Sequence, residues 1–268
     1  MSTFSLDLDG RRAGMIRSAM GAVNSTALKA APKDISVDCG AGMSRDFYAW
    51  VAGAFTQAAI RRNGGMDPIP ATPGASRLEF SDALITAVAL PELDKSVKNP
   101  AVMAVKISPE RIRYISSNTQ SPVGPSFKPW FINDFKLRID GLEAECKQVA
   151  SVSAVARKAR ISQGAFGESR VWEKIPAGGE FSSIAITLPA SAPNGFQTWL
   201  QNSLKGGSSG EKAGSLEYLG PGEGRPYFHL DMRGLGITRL SRTRQRTAKI
   251  EMYCEAISFS AEAGAFGN

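Results

Sequence analysis

The chain has 268 residues, 43% apolar and 21% charged, a composition that excludes a disordered or fibrous polymer and leaves one large domain or two of ordinary size. A formal net charge of +7 permits a polyanionic partner but speaks to association and solubility, not to fold. With 27 glycines and 15 prolines many turns are expected, as in β-rich chains, and Cys39, Cys146 and Cys254, far apart and never in a CxxC spacing, are expected as free thiols in a reducing compartment.

The opening MSTFSLDLDGRR lacks the basic-then-apolar pattern of a signal peptide, and no apolar run approaches the roughly 20 residues that span a bilayer. Synthesis in a cytoplasm and no membrane partner are expected. FSLDLDG (4–10) alternates apolar and polar residues and ends on Asp-Gly, the pattern of a half-buried strand closed by a turn. A long polar excursion (11–33) follows, then DISVDCGAGMSRDFYAW (34–50), a strand running into a helix. From Ser44 as N-cap, Phe47, Trp50, Val51, Ala54 and Phe55 fall on one stripe, and Asn63-Gly64 supplies a stop. SRLEF (76–80) and VKISPERIRY (105–114) complete a first set of elements. The Pro-, Ser- and Asn-rich stretch 117–134 reads as a linker, although Phe127, Trp130 and Phe131 are apolar enough to dock on a domain.

Beyond it the same order returns. FKLRIDG (135–141) matches FSLDLDG, and after an excursion at 150–180, SIAITLPASAPNGFQTW (183–199) overlays 34–50 without a gap. Ile184 then meets Ile35, Ile186 meets Val37, Phe196 meets Phe47 and Trp199 meets Trp50. Pro193-Asn194 opens the second helix, Leu200 and Leu204 extend its stripe, and Gly206-Gly207 stops it. GSLEY (214–218) pairs with SRLEF, and IEMYCEAISF (250–259) with VKISPERIRY, setting Glu255 on Glu110 and Ile257 on Ile112. Four collinear matches predict a duplication: a mainly β chain of two tandem β-barrel or sandwich domains (1–116 and 135–260), each with one amphipathic α-helix, joined by 117–134 and followed by a tail at 261–268. Phe47, Trp50, Phe196 and Trp199 are the expected core anchors.

Chemistry-bearing patterns are sparse. His229 and Asp231 in YFHLDMRG share a strand face, but no GxSxG elbow or recognisable cysteine nucleophile accompanies them. GGSSGEKAGS (206–215) and GPGEGRP (220–226) do not fit GxxxxGK[ST] and read as turns. No metal-ligand spacing occurs; neither cofactor, metal nor enzymatic activity is expected. The strongest charge signal is ITRLSRTRQRTAK (237–249), with Arg239, Arg242, Arg244, Arg246 and Lys249. In an extended segment Arg242, Arg244 and Arg246 share one face. Three readings stand: a subunit interface, a solvated hairpin loop, or a phosphate-facing stripe of a tandem β-sandwich module that recognises a polyanion.

The strand pattern that opens 135–141 and closes on Asp-Gly (FKLRIDGLEAE), the long polar loop, the strand and short aromatic helix, and the closing strand resemble the tail tube proteins of bacteriophages and related contractile injection machines. The resemblance is strongest over 135–259 and weaker over 4–114. It implies a β-barrel or sandwich with one helix, rings formed through sheets, and stacking of rings through the loops at 11–33 and 150–180. It further implies a structural role in a virion tail assembled in a host bacterial cytoplasm. The implied partners are other copies of the chain, sheath, tape-measure or baseplate proteins, and DNA only in passage. Doubling departs from the common tube protein and resembles baseplate hub proteins, in which trimers mimic a six-fold ring.

Overall fold

The structure, a computed structural model, describes residues 3–20, 33–69, 76–116, 128–166, 171–205, 210–222, 224–243 and 246–267, with backbone alone for 18–20, 163–166 and 171–172. Strands dominate, as predicted, and they form a closed six-stranded barrel and a curled half-barrel sheet.

The barrel is built from β1 (Thr3–Leu8), β2 (Arg11–Met20), β3 (Ile35–Cys39), β4 (Arg62–Ile69), β5 (Ser76–Leu90) and, past the short β6 (Leu93–Asp94), β7 (Met103–Ser108). Its order is β2-β3-β7-β5-β4-β1, closed by β1 on β2, and β8 (Arg111–Ser116) adds to the outer part of β5. Leu6, Leu8, Ile16, Ile35, Val37, Cys39, Met66 and Val105 are buried, while the polar residues between them lie less covered, the alternation a one-sided sheet requires. Between β3 and β4 runs α1 (Arg45–Phe55), whose first turn is capped by Ser44 Oγ accepting from Phe47 N at 3.2 Å.

The second half repeats this plan. Its strands are β9 (Phe135–Ile139), β10 (Ser151–Val152), a hairpin of β11 (Val155–Phe166) and β12 (Val171–Phe181), then β13 (Ile184–Pro189), β14 (Lys212–Leu219), β15 (Pro226–Arg242) and β16 (Thr247–Ala261). The order β10-β13-β16-β15-β14-β9 is the barrel order β2-β3-β7-β5-β4-β1 taken strand for strand. Register agrees: Ile35 faces Ile107 and Val37 faces Val105, as Ile184 faces Met252 and Ile186 faces Ile250. Two finer contacts recur. Trp50 Nε1 donates to the Ile60 carbonyl at 2.8 Å, and Trp199 Nε1 donates to the Gly210 carbonyl, each pinning the helix to the chain that leaves it. Gly64 and Gly214 stand where a Cβ would strike the Asp7 and Arg138 carbonyl oxygens, which are themselves equivalent. Backbone approach therefore requires glycine at both places.

The halves differ where β9 ends. After β1, Asp9-Gly10 turns the chain back as β2; after β9, Asp140-Gly141 leads into the single helical turn α2 (Glu143–Cys146). Leu142, Cys146 and Val149 plug the interior at this place, and the second sheet stays open between β9 and β10.

Several sequence expectations are corrected. Register makes 228–232, not GSLEY, the counterpart of SRLEF, because Leu78 faces Tyr114 as Leu230 faces Phe259; the counterpart of GSLEY is 64–68. A leucine or phenylalanine beside a carboxylate is a common strand pattern, and only hydrogen-bond register separates the candidates. Asn63-Gly64 does not end the first helix but lies in β4; the helix stops at Phe55, and Gln57 takes the left-handed turn at φ 61°. The second helix, α3 (Asn194–Leu204), ends with Leu204 78% exposed, so the stripe stops at Trp199 and Leu200. Gly206-Gly207 lies outside the described residues.

Neither do the sheets respect the boundary at 117–134. β11 pairs with β5 through Val155–Leu90 to Lys158–Ala87, adding the second half's hairpin to the first half's sheet. β6 of the first half pairs with β10. Residues 128–134 are docked: Trp130 is buried edge-on to Tyr218 and Phe228, and Phe131 pairs with Pro100. Phe127 lies outside the described residues. The expected tail also docks: past β16 and the short 3-10 turn Ala263–Ala265, Gly42 N donates to the Ala265 carbonyl at 2.7 Å and Gly267 N to the Met43 carbonyl at 3.0 Å.

Phe47, Trp50, Phe196 and Trp199 are all buried in one continuous core. Replacing Trp50 or Trp199 by Ala is expected to cost about 3–5 kcal/mol each. Because sheets and core are shared, each variant should shift a single cooperative transition seen alike by circular dichroism and by fluorescence of the remaining tryptophans. Separate transitions for the two halves would contradict a shared core.

Candidate assembly surfaces

The basic run occupies the β15–β16 hairpin. Arg239 and Lys249 lie on the outer face on either side of Glu251, with Lys249 Nζ 2.8 Å from Glu251 Oε1. That hydrogen bond, then the charges of Lys249 and Arg239, hold the Glu251 carboxyl below the ordinary range. Arg242 ends β15 opposite buried Ala248, three residues from Arg239 and so on the other face of the strand. Beyond it the chain turns: Thr243 N donates to the Thr247 carbonyl, and Arg246 adopts φ 58°. Arg242 and Arg246 are thus exposed at the two ends of a turn rather than on one face of an extended strand, and Arg244 lies outside the described residues. A single phosphate-facing stripe is not formed by the described residues. The hairpin instead projects cations in more than one direction.

On the outside of the barrel, a network missed from sequence joins four strands. Arg77 of β5 reaches Asp7 of β1, Asp67 of β4 and Glu79, and Arg113 of β8 holds Glu79 at 2.6 Å. Burial lifts the Asp7 carboxyl above its ordinary range against the pull of Arg77, and Asp67 and Glu79 add repulsion. Arg113, then Arg77, pull Glu79 below it. Asp7, which stands where the second half has Arg138, is therefore engaged within the chain.

The β11–β12 hairpin, at the place of an expected stacking loop, lies back along the barrel over its β12 side. Lys174 is buried, donating from Nζ to Ser108 Oγ and to the Pro109 carbonyl at 2.9 Å each, with Asp34 Oδ1 3.8 Å away. Burial lowers the Lys174 pKa; Asp34 and Glu110 oppose that. Arg61 closes the latch, bonding Glu110, Glu173 and the Lys174 carbonyl.

At the opposite end of the second sheet, β9 pairs on one side only, with β14, among the described residues. Beside its free side is a groove of about 420 Å³ lined by Phe135, Lys136, Leu137 and Arg138 of β9, Glu143, Cys146 and Lys147, and Lys95. Lys95 Nζ sits 5.3 Å from the Phe135 ring centre and donates to the Lys147 carbonyl. Four cations therefore surround one carboxylate, and Glu143 is turned to its own backbone, accepting from Gly141 N at 3.0 Å. Lys136 reaches Glu217 at 3.9 Å, and the row continues to His229, whose Nδ1 is 4.0 Å from Glu217 and whose Nε2 is 2.9 Å from Asp231. His229 and Asp231 thus belong to a charged ladder across β9, β14 and β15.

Among the described residues no group of His, Cys, Asp and Glu could hold a metal ion, and no helix is long and apolar enough to cross a membrane. Comparison with family models and with curated proteins finds no match for the chain.

Arg77→Met should destabilise by about 3 kcal/mol, since three carboxylates would be left around one remaining guanidinium. Asp7→Asn should cost less at neutral pH. A carboxyl whose folded pKa is raised contributes stability that is complete below its unfolded pKa and is lost as pH rises through the folded one. The penalty of Asp7→Asn should therefore shrink between about pH 3 and pH 7 in urea denaturation.

Proposed function

We propose that the chain is a structural subunit of a phage tail or a related injection machine, forming rings that stack into, or cap, an inner tube. The observation that supports this most is the tandem repetition of one barrel plan, with the same strand order, register, Trp–carbonyl bond and Gly–backbone contact in both halves. A ring requires one surface of a unit to meet a different surface of the next with a rotation that closes. Two related units in one chain supply every second contact covalently, and three chains then fill six places. Strand edges suit such contacts because their backbone donors and acceptors lack partners.

On this reading the cations of the β15–β16 hairpin meet acidic groups of a neighbouring subunit. The far part of the β11–β12 hairpin, past its latch on the barrel, meets the next ring. Sheath, tape-measure or baseplate proteins are the other partners, and DNA passes without being held, since each phosphate contact would raise affinity.

Mass measurement of an isolated ring, together with averaged end-on electron micrographs, should give three chains with pseudo-six-fold symmetry. Six chains per ring, or a monomer at high concentration, would refute the trimer. A chain that stays monomeric and binds heparin at low salt would favour the polyanion-binding alternative. Changing Arg242, Arg244 and Arg246 together to Glu should abolish association while the monomer keeps its melting transition, and wild-type association should weaken with added salt. Unaltered assembly of the triple variant would leave the hairpin as a solvated loop.

A further inference from the structure

We propose that the free side of β9 is a docking site for an extended segment of a partner protein, with acidic residues at alternate positions and apolar residues between them. The site goes beyond ring formation and does not depend on it. Three observations meet there. First, β9 is hydrogen-bonded to β14 alone among the described residues, whereas its counterpart β1 is paired on both sides, with β2 and β4. The position that β2 fills in the barrel is held in the second half by one helical turn, whose Leu142 N donates to the Ile139 carbonyl, so the backbone that no strand pairs on this side, among the described residues, is that of Phe135 and Leu137. Such an edge is a template for one more strand.

Second, the side chains along that edge alternate. Lys136 and Arg138 are exposed on the outer face, while Phe135 and Leu137 are buried on the inner one. An added strand has the same period of two, so its outward residues would lie beside Lys136 and Arg138 and its inward residues against Phe135 and Leu137. Third, the charge is uncompensated. Arg138, Lys147 and Lys95 make no ion pair among the described residues, Lys136 reaches Glu217 only at 3.9 Å, and the one carboxylate lining the groove is turned to its own backbone. Cations spaced two residues apart along a strand, over an apolar inner row, fit a strand bearing Glu or Asp better than they fit a phosphate backbone, which has no apolar side to place. The other described edge strands do not offer it: β8 reads RIRYIS, in β12 Glu173 is held by Arg61, and β6, in PELD, is only two residues long, with Leu93 buried and Asp94 accepting from Ser96. The fitting occupant is therefore a different protein.

Lys95 is the movable boundary. Its exposed side chain bridges from the Phe135 ring to the Lys147 carbonyl, and swinging it aside lengthens the accessible edge.

The test uses the full chain and a short fluorescein-labelled peptide of alternating Glu and Val, followed by anisotropy at low ionic strength. Three comparisons accompany it: the same peptide N-methylated at alternate residues, a Lys/Val peptide, and a labelled single-stranded oligonucleotide. The Glu/Val peptide should bind about tenfold more tightly than either modified peptide, and the exposed double variant Lys136→Glu/Arg138→Glu should lose about the same factor. Its melting transition should fall only slightly, because both side chains are exposed and Lys136→Glu alone meets a like charge, Glu217 on β14. Equal binding of the N-methylated peptide would overturn strand addition, and preferred binding of the oligonucleotide would make the groove a nucleic-acid site. If wild-type self-association, measured by light scattering, disappears in the double variant while no peptide binds, the occupant is a second copy and the proposal fails.

Discussion

The molecule is organised around a helix that is buried on two sides. One face of α1 lies on β2 and β5 of its own barrel, and the other lies on β16 of the second half. Tyr48 packs its ring against Phe228, Phe259 and Phe266, and Phe55 stacks between Phe259 and Phe181. A helix with one wet face would let the halves separate. This one cannot be exposed without stripping large aromatic area from both sheets, and aromatic burial dominates core energetics. The exchanged strands and the docked segments at 128–134 and 263–267 cross the same boundary and add to the joint that α1 makes. Even the Tyr48 hydroxyl is committed, donating to the Gly40 carbonyl in an interior that pushes its pKa up.

Much of this was legible in the sequence, and the reason it was legible is periodicity. Alternating residues in 4–10 and 135–141, and the gapless match of 34–50 to 183–199, report burial on one face of a strand and one stripe of a helix, which local pattern encodes directly. The placement of Tyr48 was not legible, because a second apolar face looks like noise around a single stripe. The exchange of β6 and β11 was equally hidden: strands of two and twelve residues carry no mark of which sheet they will join. The basic hairpin was visible as charge, but its geometry was not, because a turn at Arg246 redirects side chains that an extended reading would align. The groove beside β9 draws Lys95 and Lys147 from separate segments, and only the fold brings them to Lys136 and Arg138.

The difference between the halves has a local origin. After the same Asp-Gly turn, the first half continues RRAGMIRSAM and the second LEAECKQVA. Glu143, Ala144 and Glu145 favour a helical turn, and Leu142 and Cys146, spaced four apart, plug the interior from it. A handful of residues thus decides whether a sheet closes on itself or keeps a free side. Two halves built on one strand order thus end differently, one as a closed barrel and the other as a sheet open between β9 and β10.

The exchanged strands also bear on synthesis. While the chain emerges N-terminus first, the stretch Ala87–Leu90 of β5 lacks its neighbour β11, which is made only after the whole linker and β9. The short β6 likewise waits for β10. Pairings of such sequence separation form late and slowly, and the unpaired edge ending in AVAL is apolar in the interval. The nascent first half can therefore close its barrel, but the far part of β5, beyond its pairing with β4, keeps an apolar edge that only β11 covers. Until the second half arrives, that edge is open to pairing with other strands, including those of a neighbouring nascent chain.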